Sequence, residues 1–211
     1  PGMLDFQGEM ICSLNAADMA TFVVNAVNGL EIGAEVALDY SSGDYQKPKS
    51  IIINMVDRDQ SDFNKVLKQL KQRFGRAVFP FMLPVNEGES FNQIADILKK
   101  KILTFKTDGS GAYDESDPSD DFKSKVDDLH QELIELIAES DESLLEKFFE
   151  DNLTEDDMKG GLASAIASNG LIPVFCVSGT KNIGVTRLME YFSKYFPSSL
   201  KVNPDSGNPI E

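Results

Sequence analysis

The chain has 211 residues, is 41% hydrophobic and carries a formal charge of −15, with 35 acidic against 20 basic residues. That is enough apolar material for one or two cored domains, and no apolar run approaches the roughly 18 residues of a membrane-spanning helix, so no membrane association is expected. No direct DNA binding is expected, an acidic lobe would disfavour direct RNA binding by that lobe, and with no signal peptide visible the expected compartment is the cytoplasm.

Near the start, Gly8-Glu9 precedes Met10, Ile11, Cys12 and Leu14, a spacing that predicts a short helix with one apolar face. Ala20 to Val27 is a nearly continuous apolar run closed by Asn28-Gly29 and reads as a strand, followed by a helix over residues 33–42. Ile51-Ile52-Ile53, with Pro48 before it and Arg58-Asp59 after it, reads as a strand buried on both faces in the middle of a parallel sheet. The strand–helix–strand rhythm implies right-handed crossovers. After Asp57 a helix carries Phe63, Val66, Leu67, Leu70 and Phe74 on one face, with Gly75 at its C-terminal cap.

Beyond Gly75 the rhythm changes. Val78 to Val85, interrupted by Pro80 and Pro84, has the mark of an edge or bulged strand. A second strand over Ile102 to Thr107 meets the turn Asp108-Gly109-Ser110-Gly111 before Ala112-Tyr113. Three helical patterns follow. Phe122, Val126, Leu129, Leu133, Ile134 and Ile137 form the first stripe, and Leu144, Leu145, Phe148 and Phe149 the second. The third opens at Thr154, with Asp157 in the capping-box position, and stops at Asn169-Gly170. Ile172 to Ser178 is another buried strand, and Val185, Leu188, Met189 and Phe192 mark an amphipathic closing helix ended by Pro197.

Asp57 and Ser178 are 121 positions apart, whereas one crossover between neighbouring parallel strands needs about 30 residues. The excess predicts an insertion. The expected organisation is α/β: residues 1–75 and 171–197 build the parent parallel sheet, residues 76–170 form an inserted acidic α+β subdomain, and residues 198–211, with Pro204 and Pro209, form a linker. Residues 108–157 hold 19 of the 35 acidic residues against Lys123, Lys125 and Lys147, which leaves −16 there and +1 over the rest. That surface is either a solvated helical face or a docking site for a basic protein.

Ligands of open parallel sheets dock beyond the carboxyl ends of the strands. One such end carries Asn54 and Asp57. An Asp carboxylate can accept hydrogen bonds from the N1 proton and N2 amino group of guanine, while an Asn amide can reach the Hoogsteen edge and brace neighbouring loops. Adenine offers no such donor pair, so a buried carboxylate facing it would stay unpaired at a cost of roughly 1 to 3 kcal/mol or more. The second strand end carries Ser178-Gly179-Thr180-Lys181. A small residue and a glycine there let backbone N–H groups approach a base oxygen, and the Lys181 stem can cover the base. Elsewhere the chemistry is sparse. Cys12 and Cys176 lie in apolar segments without metal-ligand spacing and are expected to be buried free thiols. His130 is the only histidine, which excludes a multi-histidine metal site and leaves it a surface or packing role.

Several stretches, in this order, resemble the G domain of translation elongation factor G, over its second half and its insert. They are Pro-Gly-x-x-Asp-Phe at residues 1–6, Ala26-Val27-Asn28-Gly29 with Glu35, Asn54-x-x-Asp57-Arg58, Glu132-Leu133-Ile134-Glu135, and Ser178-Gly179-Thr180-Lys181-Asn182 with Gly184-Val185. The resemblance implies a partial P-loop GTPase-type sheet. Asn54, Asp57, Ser178 and Gly179 would contact guanine, Lys181 would lie against base or ribose, and Gly2, beside Met3, would be the switch II glycine near the γ-phosphate. GTP or GDP is the implied ligand and the ribosome the implied partner of the intact parent.

Met55 stands where the family expects Lys, and Met3 where it expects a His that positions the attacking water, so the chain resembles a divergent branch. The 211 residues contain no GxxxxGK[ST] loop, switch I threonine or Asp ahead of Pro1. Phosphate and Mg²⁺ binding depend on those parts, so the chain is read as a fragment with no catalytic or metal-binding residue of its own. In the family the phosphate-loop strand pairs with the strand at 20–27, so self-association through the edge at Phe22, Val23 and Val24, or local disorder of residues 1–19, is expected. A competing reading is a degenerate, nucleotide-free module that docks a ribosomal or regulatory protein through its acidic insert, which Met55 and Met3 favour.

Overall fold

The computed structural model describes residues 4–43, 46–139, 142–150, 152 and 154–196. The linker expected at 198–211 and the positions of Gly2 and Met3 lie outside the described residues. Two four-stranded sheets organise the described chain, one parallel and one antiparallel.

A 3₁₀ turn at Leu4–Phe6 leads into α1, Gln7–Ala16, which buries Met10 and Leu14 against Ala20 and Ala37. Cys12 does not join them. It lies on the solvent side of α1 and is exposed, against the expectation of two buried thiols, while Cys176 is buried and its thiol is pushed well up by that burial. On a helix of ten residues only the stripe holding Met10 and Leu14 faces inward, and Cys12 is two positions off it.

Strand β1, Ala20–Asn25, pairs in parallel with β2, Lys49–Asn54, through helix α2, Ile32–Ser42. β2 in turn pairs in parallel with β8, Ile172–Cys176. Every residue of β2 from Lys49 to Ile53 is buried, as a strand with covered faces requires. Fully burying each of its isoleucines contributes roughly 1.5 to 3 kcal/mol. β1 is the edge of this sheet among the described residues. Val23 is 60% exposed, but Val24 points into the core at 2%, so the open face is narrower than the apolar run suggested.

Helix α3, Phe63–Phe74, is capped by Asp62, whose side chain accepts the Lys65 N–H, and stops at Gly75 in a left-handed φ of 73°. The run after it is two strands, not one. β3, Val78–Pro80, pairs in parallel with β8 and forms the other edge of the parallel sheet, whereas β4, Met82–Pro84, starts the antiparallel sheet. The prolines mark where the chain changes sheets: each lies in an edge strand, where a missing N–H is tolerated. The chain therefore leaves the parallel sheet after Pro80, later than the change of rhythm at residue 76 suggested.

The antiparallel sheet continues with β5, Gln93–Asp96, β6, Lys101–Phe105, and β7, Tyr113–Ser116. Helices α4, Asp120–Ala138, α5, Glu142–Phe149, and α6, Glu155–Ala167, follow, and α7, Val185–Tyr195, closes the described chain. α6 carries the full capping box, with Thr154 and Asp157 bonded reciprocally, and the Lys147 ammonium and Thr154 pull the Asp157 carboxyl down to about 2. Asp114, Glu115, Asp117, Asp128, Glu132 and Glu135 all face solvent, so the acidic lobe is charged on its outside over a core of Val126, Leu133, Ile137, Leu162 and Ile166.

The two sheets share one core, joined through β8 and α7. Phe81 lies edge-on to Phe175 and Tyr191. Beside them sits a buried polar network. Arg187 Nε donates to Asp96 Oδ2 at 2.5 Å, Tyr191 Oη to Asp96 Oδ1 at 2.7 Å, Arg187 Nη1 to Glu190 Oε2 at 2.6 Å, and Tyr113 Oη to Glu190 Oε1 at 3.1 Å. Burial opposes the charge on Arg187, yet Tyr191 and Asp96 hold the guanidinium above its ordinary range. Burial, then Glu190, pushes the Tyr113 phenol up to about 12. This network pins α7 to β5 and β7. His130 takes a packing role, its Nδ1 lying 2.9 Å from the Ile97 carbonyl oxygen.

Candidate functional site

The ends of β2 and β8 lie side by side, and the loops that follow them, 55–62 and 178–184, make one site. Their backbones interlock first: Val177 N–H donates to Ile53 O at 3.0 Å and Val56 N–H to Val177 O at 3.4 Å. Asn54 then bridges the loops, its Oδ1 accepting the Gly179 N–H at 3.0 Å across 125 positions of sequence. The second loop is closed by two bonds between the backbones of Ser178 and Ile183, each 3.0 Å. Within it the fully buried Ser178 accepts the Lys181 N–H on its Oγ at 3.2 Å.

Gly184 ends this loop at φ 81°, and a Cβ there would lie 2.7 Å from the Cys176 carbonyl oxygen. Only glycine fits at that point. Gly179 differs: its backbone does not need left-handed freedom, and a Cβ would meet Asn54 Oδ1 at an ordinary 3.6 Å.

Asp57 is the unusual member. The residue is 7% exposed, and its Oδ1 is buried with no hydrogen-bond partner among the described residues. Leaving a carboxylate oxygen in that state costs roughly 1 to 3 kcal/mol or more, which makes it a candidate acceptor for a ligand's donors. Met55, just before it, is 38% exposed and sits at φ 66°, a region that residues with a side chain adopt rarely and at some cost. Backbone strain at Met55 and an unpartnered acceptor at Asp57 thus lie two residues apart in the same loop.

Of the residues singled out from the sequence, Asn54, Asp57, Ser178, Gly179 and Lys181 come together at these two loops. Lys181 is held rather than free, since its ammonium donates to the Glu89 carbonyl oxygen at 2.8 Å. The sequence did not reveal residues 87–89, which reach the site from between β4 and β5. Glu87 Oε2 accepts the Phe63 N–H at 2.9 Å, and Gly88 N–H donates to Val56 O at 2.9 Å. Asn182 Nδ2 donates to Gly109 O at 3.1 Å, a second contact from the antiparallel sheet.

Among the described residues no group of three His, Cys, Asp or Glu side chains is placed to hold a metal. Hollows lie elsewhere, one of about 440 Å³ beside Met10, Phe22 and Val23 and one of about 730 Å³ beside His130, Met158 and Tyr195. Among the described residues neither is lined by a buried side-chain polar atom without a partner, in contrast to the strand ends.

Residues 1–198 match the family described as the elongation factor Tu GTP binding domain. A crystal structure of a protein from Thermus thermophilus is similar, with a TM-score of 0.85 and 29% identity over 95% of this chain and 30% of that one. The chain thus spans less than a third of that protein's length. It belongs to the translational GTPase family of the elongation factor Tu GTP-binding domain.

Proposed function

We propose, starting from that membership, that the chain carries the guanine-recognition half of an elongation factor G-like ribosomal GTPase, whose ligand is GTP or GDP and whose partner, in the intact protein, is the ribosome. The observation that carries the reading is the buried, unpartnered Asp57 Oδ1 beside the Asn54–Gly179 bridge. In this role Asp57 accepts from guanine N1–H and N2–H, and Asn54 locks the two loops. Ser178 and Gly179 shape the backbone near the base oxygen, and the stems of Met55 and Lys181 flank the purine. Residues up to Pro80 and from Leu171 onward constitute the GTPase part, and the antiparallel sheet with α4 to α6 constitutes its insert.

No GxxxxGK[ST] loop occurs in the 211 residues, so phosphate contacts of roughly 1.5 to 3 kcal/mol each are not supplied by them. Calorimetry of the chain should therefore find GDP binding weakly, at about millimolar dissociation constants, with no heat from ADP under the same conditions. Equal heats from GDP and ADP would overturn the assignment.

A further inference from the structure

Three consecutive residues outside the two loops each bond a different part of the candidate site. The Glu87 carboxylate accepts the N–H of Phe63, the first residue of α3; the Gly88 N–H donates to Val56 O; the Glu89 carbonyl accepts from Lys181 Nζ. Val56 lies near the start of the loop that carries Asp57 and Phe63 just past its end, and Lys181 belongs to the opposite loop. The segment is itself rigidly built. Asn86 Nδ2 donates to Ser90 O at 2.6 Å, and Asn86 Oδ1 accepts the N–H groups of Asn92 at 3.2 Å and Gln93 at 3.0 Å, at the head of β5.

Resting on the reading of the loops as a guanine site, we infer that Glu87 is a positioning residue for base selection, through which the antiparallel sheet sets the aim of the Asp57 carboxylate. The Asp57 loop, residues 55–62, is gripped from the same neighbouring segment near its start, at Val56, and just past its end, at Phe63. Its carboxylate selects guanine only if its oxygens stay aligned with two donors on one base edge, and hydrogen-bond strength falls steeply with misalignment. Releasing the Phe63 N–H lets the start of α3 and the Asp57 loop shift together. Binding free energy is reciprocal, so a base that fixes Asp57 also tightens the grip of 87–89 on the loop.

The test uses the whole isotope-labelled chain, titrated with guanosine and adenosine by amide chemical shifts, as the wild type and as Glu87→Ala and Glu87→Gln. In Glu87→Ala the guanosine-over-adenosine preference should fall about tenfold, whereas Glu87→Gln, which keeps an acceptor for the Phe63 N–H, should retain it. A merely structural role would lower stability in Glu87→Ala and leave the preference unchanged, and that result overturns the inference; so does Glu87→Gln behaving like Glu87→Ala. If Glu87→Ala does not fold, amide exchange of the wild type decides. Guanosine should slow exchange at Phe63 and Gly88, neither of which touches the base, and protection of Gly179 without them would overturn the inference. A wild type with no guanosine-specific response at all would instead overturn the proposed function, and this inference with it.

Discussion

Asp57→Asn should abolish the preference for guanine while leaving the fold as stable as the wild type or slightly more so. The two halves of this expectation come from one observation, the buried Oδ1 without a partner. In the proposed site the carboxylate would accept two hydrogen bonds from guanine. An amide presents a donor to a donor edge, or after flipping offers a single acceptor, so at least about 1.5 to 3 kcal/mol of guanine-specific binding is lost. Within the protein itself, Oδ1 of that carboxylate is buried without a bond, so substituting a neutral group of the same shape costs little stability. Denaturant unfolding together with GDP and ADP calorimetry reads both. A variant that keeps its guanine preference, or one that loses several kcal/mol of stability, contradicts the role assigned to Asp57.

The opposite pattern is expected at Asp96. It is fully buried on β5, and accepts from Arg187 at 2.5 Å and Tyr191 at 2.7 Å. Asp96→Asn leaves the Arg187 guanidinium buried with its main counter-charge gone, and one of its nitrogens, Nη2, already lacks a partner. Breaking a buried pair from one side costs about 3 to 5 kcal/mol. That is a large share of the roughly 5 to 15 kcal/mol typical of a domain. The urea midpoint should fall accordingly with an unchanged slope. Replacing all three partners by apolar residues, Asp96→Leu with Arg187→Met and Tyr191→Phe, should recover much of the loss, because neither a buried charge nor the Tyr191 hydroxyl is then left unpaired. A loss under about 1 kcal/mol in Asp96→Asn would mean that water or another group satisfies Arg187.

Much of the fold could be read in the residues because its strongest elements announce themselves locally. Three adjacent isoleucines can only be a covered strand, Thr154 with Asp157 opens a helix, and Gly75 closes one. The ends of those strands then marked Asn54, Asp57 and the Ser178 loop as a candidate site, and the structure brings them side by side. Features that depend on distant partners were not legible. Gln93-Ile94-Ala95-Asp96 is too short and polar to read as a strand, and Asp96 is buried only because Arg187, 91 positions away, neutralises it. The run from Val78 to Val85 has one apolar signature but serves two sheets. The grip of residues 87–89 on the site was hidden for a different reason: two of its three bonds use the Gly88 N–H and the Glu89 carbonyl, groups that every non-proline residue possesses.

The central claim, that the paired ends of β2 and β8 select a guanine base, is tested most directly by mapping amide shifts of the wild-type chain on addition of guanosine and, separately, adenosine. Neither ligand carries phosphate, so only base and ribose contacts are read. Guanosine should shift the amides of residues 54–58 and 178–182 in a saturable way at about millimolar concentrations, and adenosine should leave them unmoved. Equal shifts from the two nucleosides, or guanosine shifts confined to other parts of the chain, would contradict it.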